Sequence, residues 1–400
     1  MEELNRTLED VLRREKSRVV GALVRTLGSI DAAEEAFQEA VLAALPSWRR
    51  DVPANPAAWL MTAAKNYARD AARHRRIVDA KAPLLVEKDM VATQTFDSIN
   101  DDELRLIFTC CHPALTLDSQ VALTLKIVAG LSSTEIARAF LAPEKTISQR
   151  ITRAKKTIEE QRLPYEVPER AELPERLAAV LAVVYLIFNE GHTTREGPLM
   201  RPALQAEALR LCRLLCNLLP NEPEVFGLFG LIAFSVARAG TRADARGDLL
   251  LLSEQDRALW DRATIKEGLL ALQRARRLGG GSYVLQAEIS ACHATAPTWV
   301  ETEWSRILGF YEELLALTPS PVVALNRAVA VCMHVGPAEG LEALEALEAP
   351  LSGYHLFYAL RADFRARLGR DARDDYRRAL QLTSNESERR FLKRKIDEAH

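Results

Sequence analysis

Residues 130–158 read GLSSTEIARAFLAPEKTISQRITRAKKTI, two short helical periods separated at Ala142-Pro143. This punctuation constrains the fold more than any other feature of the chain. Gly130 ends the preceding helix, and Ser132 with Glu135 forms a capping-box pattern that starts the next one. Ile136, Ala137 and Phe140 give that helix its inner face. Pro143 then suits the first turn of a second helix, where its missing N–H costs nothing. In that second helix Ile147, Ile151, Ala154 and Ile158 fall on one apolar stripe. The opposite face carries Lys145, Gln149, Thr152, Arg153 and Lys156, flanked by Ser148, Arg150 and Lys155. The pattern is a helix-turn-helix whose second helix suits the major groove. Ser148, Gln149, Thr152 and Arg153 are expected to face base edges, and Lys145, Arg150, Lys155 and Lys156 to hold phosphates.

A second basic helix lies upstream. The formal net charge of −2 conceals it: residues 65–81 hold six basic and two acidic side chains, and residues 144–162 hold six basic and three acidic. Two short basic helices suit a polyanion better than the whole-chain charge does. In residues 55–76 (NPAAWLMTAAKNYARDAARHRR), Leu60, Ala63, Ala64, Tyr67 and Ala71 share one face. The other face holds Asn66, Arg69, Arg73 and Arg76, a set able to follow a backbone while a polar group reads bases. Residues 31–48 (DAAEEAFQEAVLAALPSW) form a helix with an acidic start and an apolar far end. Asp31, Glu34 and Glu35 complement its dipole, and that capping role competes with any binding role.

An all-α fold follows from composition as well as from period. Ala, Leu, Arg and Glu dominate, with 48% hydrophobic and 27% charged residues, which excludes wholesale disorder. Five segments are expected: 1–82, helical and ending in the first basic run; a linker at 83–98; 99–163, ending in the helix-turn-helix; a helical extension at 164–285; and a repeat-bearing region at 286–400. In the last segment Gly336 aligns with Gly369, Ala343 with Tyr376, and Ala346-Leu347 with Ala379-Leu380, all in one register. Ala372, Tyr376 and Ala379 have the small–aromatic–small spacing of a tetratricopeptide-like repeat, while ordinary antiparallel helices remain the alternative.

Other constellations point away from chemistry. Cys110, Cys111 and His112 lack the wider paired spacing of a zinc site and read as core, as do Cys212 and Cys216. The six cysteines form no disulfide framework, which suits a reducing cytoplasm. The apolar run Leu177–Phe188 is too short for a bilayer and reads as a core helix, so no membrane association is expected. Glu190, His192 and Arg195 form one polar group, and Asp256, Arg257, Trp260 and Asp261 another. No nucleophile motif, phosphate loop or paired carboxylates accompany them, so ion pairs and caps are expected there rather than catalysis or a ligand pocket. The expectation is no enzyme, no catalytic residue, no cofactor and no metal.

The order of these motifs resembles a known family. Asp31, Glu34, Glu35, Gln38 and Glu39 resemble the polymerase-binding helix of region 2 in extracytoplasmic-function RNA polymerase sigma factors. Trp59-Leu60 followed by Asn66, Asp70, Arg73 and Arg76 resembles that region's promoter-melting helix, and residues 130–158 resemble region 4. CCHPAL (110–115), FNEGH (188–192), LLSEQDRALWD (251–261) and SPVVALNRAVAV (320–331) resemble a subgroup with a long, tetratricopeptide-like C-terminal extension, from which His192 departs where a tyrosine is expected. The resemblance implies a factor that directs core polymerase to promoters and makes or breaks no bond. It implies docking on the clamp of the β′ subunit through Asp31, Glu34, Glu35, Gln38 and Glu39. It also implies capture of the minus-10 element by Asn66, Arg69, Arg73 and Arg76, and of the minus-35 element by residues 145–156. Partners are then core polymerase, promoter DNA and a protein partner of the extension. A helical-repeat scaffold and an autonomous helix-turn-helix repressor are the rival readings.

Overall fold

The computed structural model describes residues 2–48, 53–78, 96–140, 142–192, 200–244 and 247–398. Among them are 19 α-helices and no strand, so the chain is all-α as the composition requires. The expected linker at 83–98 lies largely outside the described residues, as does Arg195. The chain divides into two compact units, residues 1–186 and 187–400.

The N-terminal unit begins with α1 (Glu2–Leu27), α2 (Ile30–Trp48) and α3 (Pro56–Val78). Asn55 starts α3 by accepting from the Ala58 amide at 3.1 Å, with Pro56 at the first helical position. Four helices follow: α4 (Phe96–Cys110), α5 (Leu117–Ile127), α6 (Ser133–Ala139) and α7 (Glu144–Glu160). The buried side chains Val20, Leu23, Leu104, Leu106 and Phe108 place α1 and α4 in one core. Their backbones touch closely at Gly21. A Cβ there would lie 2.8 Å from the Asp102 carbonyl oxygen, so any larger residue must separate the two helices. Tyr165 spans the same crossing, its hydroxyl lying 2.7 Å from the Gly21 carbonyl and 2.9 Å from that of Asp102. The first two helical modules of the sequence therefore share one core.

The helix α8 (Leu173–His192) contains the division between the units. The C-terminal unit continues with α9 (Pro202–Leu218), α10 (Pro223–Ala237), α11 (Arg262–Leu278) and α12 (Ser282–Thr295). Helix α10 is apolar all round and sits against α9, α11 and α12, which is the position its composition demands. With the turn after it, Pro223–Thr241 is long and apolar enough to cross a bilayer by length and composition, yet most of it is buried inside the unit. The remaining helices are α13 (Trp304–Leu317), α14 (Pro321–His334), α15 (Pro337–Glu345), α16 (Glu348–Leu351), α17 (His355–Arg367), α18 (Arg373–Leu382) and α19 (Glu386–Glu398). Helices α14 and α15 pair, as do α17 and α18, around a core of Leu325, Leu344, Phe357, Phe364, Tyr376 and Ala379.

Candidate nucleic-acid and polymerase interface

The helix-turn-helix is built as its sequence punctuation dictates. Gly130 turns the chain with φ +76°, a conformation that L side chains rarely adopt. The Ser132 hydroxyl accepts from the Glu135 amide at 3.1 Å, and the Glu135 carboxylate accepts from the Ser132 amide at 2.7 Å, completing the capping box. Thr134 donates to Glu144 at 3.0 Å and ties the two helices across the turn. Ile147, Ile151 and Ala154 are buried, which fixes the rotation of α7 about its axis. Lys145, Gln149, Thr152, Arg153 and Lys156 are consequently exposed, and Ser148 is half-buried beside them. Arg150 is half-buried and pairs with Asp118 at 2.7 Å.

On α2 the exposed row begins Asp31, Glu35, Gln38, while Glu39 is half-buried. The row continues into Leu42 and Leu45, 59% and 36% exposed, at the spacing of a single helix face. These two leucines were not singled out from sequence, although the heptad-like spacing from Asp31 is the signal that finds them. Tyr67 of α3 donates to Glu35 at 3.1 Å. Trp48, buried at the end of α2, packs edge-on against Trp59 of α3 at 5.3 Å between ring centroids. That contact braces α3, whose Asn66 and Arg69 are exposed on the outer side. The side chains of Arg73 and Arg76 lie outside the described residues.

Three residues expected at different interfaces meet one another. Lys155 of α7 donates to Asp31 at 2.5 Å and to Glu34 at 2.7 Å. Glu34 is buried, and on its other side Lys16 of α1 donates to it at 3.1 Å and to the Lys126 carbonyl at 2.8 Å. Burial alone would raise the Glu34 carboxyl, but Lys16 and Lys155 outweigh it and hold the group below the usual carboxylate range. Burial works against the Lys155 ammonium too, and its two carboxylates override it to raise that group. Burial pushes the Lys16 ammonium down, with Lys126 and Lys155 adding repulsion against the attraction of Glu34. A cavity of about 280 Å³ adjoins this cluster, lined in part by Asp31, Lys155, Ile158 and Tyr165. Lys155 is therefore engaged within the protein in this arrangement, and Glu34 lies inside the fold rather than on its surface.

Three family descriptions match the chain. Residues 11–77 match Sigma-70 region 2, residues 105–158 match Sigma-70, region 4, and residues 176–276 match a family of unknown function, DUF6596. An uncharacterized protein of Rhizobium meliloti (strain 1021), R00370, is 43% identical over 394 residues, covering 96% of this chain and 93% of the relative. The RNA polymerase sigma factor CarQ of Myxococcus xanthus is 35% identical over 129 residues, covering 32% of this chain and 73% of that protein.

Proposed function

Because the chain belongs to the sigma-70 family of RNA polymerase sigma factors, with regions 2 and 4 followed by a long helical extension, we propose a division of labour among its helices. It directs core polymerase to promoters and acts by binding. Helix α7 enters the major groove of the minus-35 element. Ser148, Gln149, Thr152 and Arg153 read base edges there, and Lys145, Arg150, Lys155 and Lys156 neutralise phosphates. The observation that carries this reading is the burial of Ile147, Ile151 and Ala154, which turns Gln149, Thr152 and Arg153 outward together.

Helix α2 docks on the clamp of the β′ subunit through Asp31, Glu35, Gln38 and Glu39, while Glu34, also expected there, is held inside the fold behind them. Its exposed row ending in Leu42 and Leu45 supports this, since an acidic head with an apolar tail fits a protein partner better than it fits water. Helix α3 captures the minus-10 element with Asn66, Arg69, Arg73 and Arg76, and binding of unstacked bases offsets the cost of unpairing them. The extension is regulatory, its tetratricopeptide-like hairpins offering a surface for a protein partner. The protein works in the cytoplasm, beside polymerase and the chromosome.

Since Lys155 is engaged by Asp31 and Glu34, the DNA-bound state requires that contact to open. Reconstitution with core polymerase tests the whole reading. Promoter-dependent transcripts are expected from the complex, and open complexes are expected to vanish when Asn66 and Arg73 are both replaced by Ala while core binding persists. Normal permanganate reactivity of promoter thymines in that double variant overturns the role of α3.

A further inference from the structure

The two polar groups picked out in the sequence of the extension come together in the C-terminal unit. The turn after α10, residues 238–242, joins them. On one side Arg242 donates through Nη1 to the His192 carbonyl. On the other, Trp260 donates through Nε1 to the Thr241 hydroxyl at 2.9 Å, and that hydroxyl donates to the Arg238 carbonyl at 2.9 Å. Arg257 lies over the Trp260 ring at 4.7 Å, and its Nη1 donates to the carbonyls of His293 and Ala296 at 2.5 and 2.8 Å. Beyond it His293 stacks on Trp299 and meets Trp304 edge-on at 5.2 Å. Asp256 and Asp261 take no part, since each caps a helix start: Asp256 the short 3-10 turn Arg257–Leu259, Asp261 the N-terminus of α11.

What stands out is the charge balance. Arg257 is 8% exposed and Arg238 half-buried, yet neither has a carboxylate within ion-pair distance among the described residues. The Nη2 of Arg257 and the Nδ1 atoms of His192 and His293 are buried without a hydrogen-bond partner. Burial, followed by the neighbouring Arg257, pushes the Arg238 guanidinium down to about 10. Burial followed by Arg238 and Arg257 holds His293 down to about 4, and burial followed by Arg242 and Arg238 keeps His192 neutral as well. Buried donors without acceptors and cations without counter-charge are both costly, and one dianion within reach of them relieves both costs.

We propose that Arg238, Arg257, His192 and His293 form a binding site for a small molecule bearing a dianionic oxyanion group, a phosphate ester or a dicarboxylate. Arg238, half-buried, and Arg257, buried, each supply one guanidinium charge toward a dianion. The guanidinium fork suits two oxygens of one group, and the neutral imidazoles add hydrogen-bond donors without further charge. The site belongs to the C-terminal unit, and none of its residues is among those proposed to read DNA or dock polymerase.

The test uses the full chain in titration calorimetry and thermal unfolding, with inorganic phosphate, succinate and acetate as probes against sodium chloride of matched ionic strength. Saturable binding of phosphate or succinate, with no response to acetate, is expected, and the stronger of the two identifies the class. Arg238→Gln is expected to weaken that binding by at least about tenfold, as for loss of one charge-assisted hydrogen bond, with an unchanged circular dichroism spectrum. Arg238→Lys keeps the charge and is expected to recover part of the affinity, which a merely misfolded variant would not do. Absence of saturable binding of either dianion, or wild-type affinity in Arg238→Gln, overturns the proposal.

Discussion

In the N-terminal unit Lys16, Glu34 and Lys155 lie largely out of solvent, and each cation reaches a carboxylate. In the C-terminal unit Arg238 and Arg257 are similarly withdrawn, and no carboxylate answers them among the described residues. The first arrangement is closed on itself: three helices, α1, α2 and α7, each contribute one member, so the charges hold the fold together. The second leaves positive charge standing. A protein keeps such a cluster at a cost, and the cost is recovered when something outside the chain brings the negative charge. Paired burial thus marks a structural joint, and unpaired burial marks a place for a ligand.

The largest effect should come from breaking the closed arrangement. Glu34→Ala strands the buried Lys16 ammonium and leaves Lys155 with Asp31 alone, and is expected to destabilise the N-terminal unit by about 3 kcal/mol in urea unfolding followed by circular dichroism. A loss under about 1 kcal/mol would show that the network is as dispensable as an exposed ion pair. Next in size is Arg153→Ala on the exposed face of α7. About tenfold of discrimination between the preferred minus-35 sequence and a single-base variant should disappear in competition binding, with stability unchanged. Unaltered sequence preference removes Arg153 from the reading set.

Asp31→Asn takes away one of the two carboxylates on Lys155 but spares the buried Glu34. DNA affinity should rise about threefold and its salt dependence steepen, because Lys155 becomes freer to meet a phosphate. A fall in affinity would mean that the contact positions α7 rather than restrains it. Acid should act on the same joint. The Glu34 carboxyl is held low, so its contribution is complete above its ordinary range and is lost as pH falls through its depressed value. Urea midpoints at neutral and acidic pH should therefore converge in Glu34→Gln relative to wild type. The smallest effect is the counter-test. Without added anion, Arg238→Gln should leave the free energy of unfolding within about 0.5 kcal/mol of wild type or raise it, since it removes repulsion rather than a bond.

Local rules made much of this legible in advance. The capping box at Ser132 and Glu135, the stripe of Ile147, Ile151 and Ala154, and the outward face opposite them all follow from helix period and cap chemistry. Glu34 was read together with Glu35 as a surface acid, and here the period could have said more. Glu34 is about 100° round the helix from the buried Ala33, whereas Glu35 is about 200° away and faces out. The period does not say which cation meets Glu34, because Lys155 lies 121 residues on and is brought there by the α1–α4 crossing. The same holds for the extension. His192 and Arg257 belonged to two separate sequence groups, and only the turn at residues 238–242 joins them. Contacts set by tertiary closure leave no trace in a local pattern.

The engagement of Lys155 has a consequence on the scale of a chromosome. A promoter-seeking protein is surrounded by a vast excess of irrelevant duplex, all of it offering phosphates of equal quality. Each lysine able to meet those phosphates adds roughly one unit to the salt slope and strengthens this indiscriminate sticking. By holding Lys155 against Asp31 and Glu34, the unaccompanied protein carries one fewer such hand, and less of it is sequestered by bulk DNA. If α2 docks on polymerase as proposed, Asp31 gains a competing partner and the lysine can be released. The search for a promoter then falls to the holoenzyme, the only species for which finding one is useful.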